Sequence, residues 1–201
     1  AMRIVAGAFR GARIEGPRGL ATRPTSDRVR QALFNVLEHG PARFDFEGAR
    51  VLDLFAGSGA LGLEAISRGA RFCLFVDDRA EARAAIRRNV EALGLTGATK
   101  IWRRDATKLG PKGTLAPFNL AFLDPPYGRG LWEPALAVLV DGAWLTESAI
   151  VVVEERTDAE IALPAPLEKI DARTYGDTQI LIARKTGQRK QIGPNLGPRA
   201  C

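Results

Sequence analysis

The sequence is poor in cysteine and histidine. It has two cysteines, Cys73 inside an apolar run and Cys201 at the end of the chain, and one histidine. Two cysteines cannot build a disulfide framework, and one histidine beside them does not complete a zinc cluster. We therefore expect a protein without a structural metal that works in a reducing cytoplasm.

Long apolar runs are also missing. No stretch approaches the roughly 20 residues that span a bilayer, and none near the N-terminus has the length of a signal-peptide core. With 201 residues, 46% of them hydrophobic and 26% charged, the composition is that of an ordinary globular protein and not of a disordered or collagen-like chain. We expect one folded domain with no membrane partner.

Positive charge is concentrated at the two ends of the chain. The formal net charge is +6, and residues 1–30 hold seven arginines against two acidic residues. Residues 184–201 hold five basic residues and no acidic one, whereas the middle of the chain is mildly acidic. This asymmetry suggests a polyanionic partner, although basic tails also occur as simple solubilising segments.

Short apolar runs alternate with helical patterns between residues 51 and 154, which is typical of βαβ units and a parallel sheet. A Gly176-Asp177 pair between two further apolar runs predicts a hairpin that appends antiparallel strands. The sequence therefore predicts a doubly wound, Rossmann-like α/β fold. Its strands are predicted at Val51–Phe55, Phe72–Val76, Thr99–Arg103, Asn119–Leu123 and Ala149–Glu154, and its helices at Ser58–Arg68, Arg79–Leu93 and Leu131–Val140.

A basic extension precedes this sheet. Arg3–Val5 and Ala12–Ile14 flank a Gly/Arg-rich stretch and predict a small hairpin. Apolar residues at helical spacing then predict a helix that begins after Thr25 or Ser26, both good N-cap residues. The predicted organisation is a hairpin and helix extension over 1–38, a catalytic domain over 39–185 and a basic, disordered tail over 186–201.

A glycine-rich loop leaves the first predicted strand and opens the first helix. Gly57, Gly59 and Gly62 satisfy the G-x-G-x-x-G pattern, which lets a backbone approach a ligand at a helix N-terminus. Taken alone the match is weak and also fits a dinucleotide. Asp53 argues against a pyrophosphate, because a carboxylate would repel it but would attract the ammonium and sulfonium of S-adenosylmethionine.

Two further acidic positions follow the next strands. Asp77, or its neighbour Asp78, is placed to accept hydrogen bonds from ribose hydroxyls, and Asp105 with the backbone of Ala106 is placed to hold an adenine edge. Each alone could be a solvated acid at a strand end. Together they lie at successive carboxyl ends, where such sheets bind ligands. The candidate cofactor-binding residues are Asp53, Ala56, Gly57, Ser58, Gly59, Asp77, Asp78, Asp105 and Ala106.

Asp124-Pro125-Pro126-Tyr127 directly follows the fourth predicted strand. Methylation of an exocyclic amino group requires acceptors for its N–H bonds, because the nitrogen lone pair is delocalised into the base. The Asp124 carboxylate and the Pro125 carbonyl suit that task, since two prolines make the loop rigid. Tyr127 can stack on an unstacked base. In isolation the same four residues could be a structural turn.

These motifs, in this order, resemble those of class I S-adenosylmethionine-dependent amino-methyltransferases. The segments Met2–Gly11 and Thr22–Asn35 closely resemble the RsmD family, which methylates guanine N2 in small-subunit ribosomal RNA; the resemblance covers about Met2–Arg184. It implies S-adenosylmethionine as the methyl donor, no metal, and a monomer that acts on RNA within a partly assembled small ribosomal subunit. The tail after Arg184 does not follow the family.

In so short a chain the arginine-rich start is the candidate RNA-binding surface, through Arg10, Arg23, Arg28 and Arg30. Three other functions stay open on the residues alone. An adenine-N6 methyltransferase would use the same proline-rich loop. A nicotinamide-dependent oxidoreductase would use the same glycines, but it is disfavoured by Asp53. A non-catalytic RNA-binding protein would keep the basic ends but would have no use for Asp124.

Overall fold

The computed structural model describes residues 2–19 and 25–187. These residues form four α-helices and nine strands, and no described helix is long and apolar enough to cross a membrane. The elements in chain order are β1 (Met2–Arg3), β2 (Arg13–Ile14), α1 (Asp27–His39), β3 (Arg50–Leu54), α2 (Ala60–Ser67), β4 (Phe72–Val76), α3 (Ala80–Ala92), β5 (Thr99–Trp102), β6 (Phe118–Leu123), α4 (Trp132–Asp141), β7 (Leu145–Arg156), β8 (Leu167–Tyr175) and β9 (Thr178–Lys185).

Seven strands form one sheet in the order β5-β4-β3-β6-β7-β9-β8. Strands β3 to β7 pair in parallel, whereas β9 runs antiparallel to both β7 and β8. The predicted doubly wound α/β fold and its antiparallel C-terminal hairpin are confirmed. Strand β7 begins four residues earlier than expected, because its start pairs with Phe118 across an irregularity in the ladder.

Two apolar layers cover the two faces of the sheet. One layer joins α1 and α2 to inward-facing strand residues such as Phe75, Phe122 and Ile182. The other contains α4 and the buried Trp144, whose indole N–H donates to the Gly110 carbonyl. Alternate residues of the parallel strands enter alternate layers, so the strands are buried on both faces and carry near-continuous apolar runs. Their carboxyl ends are therefore the edge left open for a site.

The N-terminal hairpin packs tightly against α2. The Val5 N–H donates to the buried Glu64 carboxylate, and the Phe9 N–H donates to the Ser67 hydroxyl. Ile4 and Ile14 of the hairpin join the same apolar layer as the sheet. The extension over 1–38 thus shares a core with the strands, and its separation from the domain over 39–185 stays a prediction. Residues 188–201, most of the predicted tail, lie outside the described part of the chain.

Arg30, one of the arginines predicted to bind RNA, lies on the buried face of α1. Its side chain is 0% exposed, and its guanidinium donates to the Arg3 carbonyl and, at 2.8 Å, to Asp27. The reason lies in the spacing, since Arg30 precedes Leu33 and Phe34 by one helical turn and therefore shares their core-facing stripe. The prediction that it belongs to an exposed phosphate-binding surface is wrong.

The contact between α2 and β4 depends on Gly62. A Cβ at this position would lie 2.5 Å from both Cys73 Sγ and Phe75 Cε1, which are buried side chains. We expect Gly62→Ala to lower the free energy of unfolding by about 1–3 kcal/mol, as overpacking of a core does. Gly97→Ala is the matched control, because nothing lies within 4 Å of its added Cβ. Urea unfolding of both variants tests this; equal stabilities would contradict it.

Candidate functional site

A pocket of about 520 Å³ opens at the carboxyl ends of the parallel strands. The register explains its composition, because Leu54 pairs with Val76 and Leu123, and Leu123 pairs with Val153. The residues just after these positions therefore emerge at one level. The sequence-predicted site residues that line the pocket are Asp53, Ala56, Gly57, Ser58, Asp77, Asp78, Asp105, Ala106, Asp124, Pro125, Tyr127 and Arg30.

The glycine loop is held by its own neighbours. Gly57 and Gly59 have φ angles of 60° and 80°, in the region that favours glycine, and Phe55 adopts a φ of 56° despite its side chain. The Gly57 N–H donates to Asp77 Oδ2 at 2.9 Å. A Cβ added at Gly59 would lie 3.1 Å from Phe75 Cε1, closer than an ordinary van der Waals contact. The predicted loop thus turns sharply into α2, and Asp77 braces it.

Asp53 is buried beneath this loop. It is 1% exposed, and one of its carboxylate oxygens accepts a hydrogen bond from the Gly62 N–H at 3.0 Å. Burial raises the pKa of Asp53 from 3.8 to about 8, with a smaller contribution from the charge of Asp77. A cationic ligand group beside Asp53 would favour the ionised form.

Asp105 and Asp78 flank the pocket at its other end. Asp105 caps the short helix Ala106–Lys108, because one of its oxygens accepts from both the backbone N–H and the hydroxyl of Thr107. These hydrogen bonds lower the pKa of Asp105, so it is held ionised. Asp78 is exposed at the rim, whereas both oxygens of Asp77 already accept from the protein. The choice between Asp77 and Asp78 for a ribose stays open.

The loop Asp124–Tyr127 follows β6 as predicted, and Tyr127 is fixed at its hydroxyl. That hydroxyl donates to Glu154 at 3.1 Å and lies 2.8 Å from the Thr178 hydroxyl. Burial and the nearby Glu154 and Asp124 raise the pKa of Tyr127, so the phenol stays neutral. Its ring is therefore anchored at one end and lines the pocket with the other.

Asp124 faces other acids and no described cation. Burial, followed by the charges of the neighbouring Glu154 and Asp53, raises the pKa of Asp124 well above its usual range. The next residue along the strand, Glu155, is 1% exposed and accepts from the Gly128 N–H at 3.2 Å. The loop is thus pinned at Tyr127 and again at Gly128.

A family model described as "Conserved hypothetical protein 95" matches residues 2–184. The chain is 41% identical over 164 residues to "Ribosomal RNA small subunit methyltransferase D" of Escherichia coli, covering 81% of this chain and 78% of that protein. It is 36% identical to "Putative rRNA methyltransferase YlbH" of Bacillus subtilis, covering 92% of this chain and 100% of that protein. The chain belongs to the RsmD family.

A solved structure agrees with this assignment. "Putative methyltransferase yhhF from Escherichia coli" superposes with a TM-score of 0.80 at 34% identity and covers 93% of this chain and 99% of that chain. The fold predicted from the sequence is thus also the fold of this putative methyltransferase.

The predicted RNA-binding arginines are divided by the structure. Arg10 and Arg28 are exposed, Arg30 is buried, and Arg23 lies outside the described residues. Two further acidic residues of this RsmD family member, Glu154 and Glu155, were not predicted from the sequence as part of the site. A signal was present, because both follow the apolar run Ile150–Val153 at a strand's carboxyl end, where the other site acids were found.

The raised pKa of Asp53 makes stability depend on pH. Between pH 3.8 and about pH 8, Asp53 is ionised in the unfolded chain but keeps its proton in the folded protein. The free energy of unfolding therefore falls as the pH rises through this range. Asp53→Asn removes this effect. We expect the stability of the variant relative to wild type to grow with pH, by at most about 1.4 kcal/mol per pH unit. Urea unfolding from about pH 5 to pH 8 measures it; a difference that does not change with pH would contradict it.

Proposed function

We propose that this protein transfers the methyl group of S-adenosylmethionine to the exocyclic N2 of a guanine in small-subunit ribosomal RNA. One observation carries the proposal: the glycine loop with its three strand-end carboxylates and the Asp124–Tyr127 loop line the same pocket. A donor bound by the first would face an amino group bound by the second. Proximity of this kind accounts for much of the rate of such reactions.

The carboxylates fit S-adenosylmethionine better than a nicotinamide dinucleotide. Asp53 and Asp77 lie beneath and beside the glycine loop, where a pyrophosphate would meet two acidic groups. The methionine ammonium and the sulfonium are cations and would be attracted there. Asp78 or Asp77 would take the ribose hydroxyls, and the Ala106 N–H with Asp105 would hold the adenine edge. The bound cofactor would supply a methyl group attached to a positively charged sulfur. The neutral thioether that remains after transfer is a good leaving group.

The protein's own contribution to chemistry is orientation of the amino group. The Asp124 carboxyl oxygen and the Pro125 carbonyl would accept the two N–H bonds and draw them out of the plane of the base. This makes the nitrogen lone pair available for an in-line displacement at the methyl group. Tyr127 would stack against the base, since its hydroxyl is already held by Glu154 and Thr178.

The choice of substrate rests on the relatives. The Escherichia coli protein is named for methylation of small-subunit ribosomal RNA, and the exposed Arg10 and Arg28 provide positive charge on the N-terminal segment. We propose that the enzyme acts as a monomer on RNA within a partly assembled small subunit. Ribosomal assembly puts that action in the cytoplasm.

The first test separates methyl transfer from cofactor binding. Asp124→Ala should lower single-turnover methylation by roughly 10²–10³-fold, the scale for loss of one oriented polar group, and leave the affinity for S-adenosylhomocysteine nearly intact. Mass spectrometry of the RNA identifies the modified atom, and calorimetry measures the cofactor. Near-normal methylation by the variant would make the loop a structural turn, and methylation of adenine N6 would overturn the guanine assignment.

The second test concerns RNA. Each phosphate contact on a single strand contributes about 0.7 to the slope of log affinity against log salt, so Arg10→Ala with Arg28→Ala should flatten the slope by about 1.4. The matched control is Arg71→Ala with Arg87→Ala, which removes the same charge from exposed positions on β4's amino side and on α3. Equal slopes for the two double variants would move the RNA surface away from the N-terminal segment.

A further inference from the structure

Glu154 is a buried carboxyl group that the proposed chemistry does not use. It lies near the end of β7, is 6% exposed and lines the pocket. Within the described part of the chain no cation lies close enough to stabilise its charge, and burial raises its pKa. Burying an ionisable group without a cation is costly. Groups of this kind are concentrated at functional sites, where their placement serves the reaction.

The polar partners of Glu154 come from three separate parts of the chain. The Tyr127 hydroxyl donates to Oε1 at 3.1 Å, and the Thr25 hydroxyl donates to Oε2 at 3.2 Å. Asp124 lies beside the same carboxyl group, at the end of the neighbouring strand and in the same pocket lining. Glu154 therefore lies beside the two side chains of the Asp124–Tyr127 loop that the proposed mechanism uses, those of Asp124 and Tyr127. It connects them to Thr25, which lies two residues before α1.

The requirement for a carboxylate follows from this arrangement. An ionised carboxylate only accepts hydrogen bonds and has about four lone-pair sites, so it can serve three donors at once. Register places it there, because Leu123 pairs with Val153 and the next residues on the two strands are Asp124 and Glu154. Thr178 on β9 contacts the other side of the Tyr127 hydroxyl. The ring is thus held from two strands.

We propose that Glu154 is a positioning residue for methyl transfer, which orients the Tyr127 ring and the Asp124 carboxyl group toward the amino group of the target base. This inference rests on the proposed function. Without Glu154, the Tyr127 hydroxyl keeps Thr178 alone and the Asp124 carboxyl group loses its fixed neighbour. Displacement of reacting groups by about 1 Å costs on the order of 10²-fold in rate.

The first experiment compares two replacements of Glu154. Glu154→Leu removes the acceptor, and Glu154→Gln keeps one acceptor oxygen for Tyr127 and Thr25. We expect Glu154→Leu to lower the single-turnover rate by roughly 10–100-fold with unchanged affinity for S-adenosylhomocysteine, and Glu154→Gln to recover at least threefold of that loss. Glu147→Leu on the same strand is the control, because that side chain is 75% exposed and far from the pocket lining. A wild-type rate in a folded Glu154→Leu protein overturns the proposal.

The second experiment tests whether Glu154 acts through Tyr127. In a Tyr127→Phe background, Glu154→Leu should lower the methylation rate by a clearly smaller factor than it does in wild type. The reason is that the Tyr127 hydroxyl, through which Glu154 orients the ring, is already absent. If the two losses simply multiply, Glu154 does not act through the tyrosine and the proposal fails. A parallel loss of cofactor affinity in Glu154→Leu would show a general structural role and also overturns it.

A third readout does not depend on activity. The chain has only two tyrosines, Tyr127 and Tyr175, so isotope-labelled tyrosine gives two resolvable ring signals by NMR. Glu154→Leu should shift the Tyr127 signal and leave that of Tyr175 in place. Absence of methylation in wild type would overturn the proposed function while this shift still reports on Glu154; an unmoved Tyr127 signal overturns the positioning role even if wild type is active.

Discussion

The site depends on three carboxyl groups, those of Asp53, Asp124 and Glu154, which line one pocket and form no ion pair within the described part of the chain. Burial disfavours the ionised form of all three groups, and the charges of Glu154 and Asp53 further raise the pKa of Asp124. What holds them is a set of hydrogen-bond donors: the Gly62 N–H for the first, and the hydroxyls of Tyr127 and Thr25 for the last. A cationic ligand would relieve the repulsion that the protein alone cannot. Placing these groups together costs free energy that the binding of a cationic group would offset.

The N-terminal segment is tied to this site by hydrogen bonds. Its hairpin is tied to α2 through Glu64 and Ser67, and Asn89 of α3 donates to both the Glu15 carbonyl and the Ser58 carbonyl. The Asn89 amide thus links Glu15, which follows β2 of the hairpin, to Ser58 of the glycine loop. Two neutral amide hydrogen bonds thus join the segment that carries Arg10 to the loop that would hold the cofactor.

Much of the fold could be predicted from the sequence, because the strands are buried on both faces and their apolar runs are continuous. The loops after the strands were equally readable, since Gly57 and the pair Pro125-Pro126 mark sharp turns. Arg30 was misplaced for a different reason: charge was given more weight than helical spacing, although the spacing put it on the core stripe. Glu154 was missed because its role depends on Thr25 and Thr178, which only the tertiary structure brings near it.

The polar side chains around the Tyr127 hydroxyl come from distant parts of the chain. Thr25 precedes α1, Glu154 lies near the end of β7, and Thr178 begins β9, which pairs with β7 from Ile150 to Arg156. During synthesis on the ribosome the parallel strands emerge first. The contact between Thr178 and the Tyr127 hydroxyl cannot form until β9 has left the exit tunnel and docked. A chain in which β9 has not yet docked thus lacks Thr178 beside the Tyr127 hydroxyl, so the order of this loop depends on the late pairing of β9 with β7.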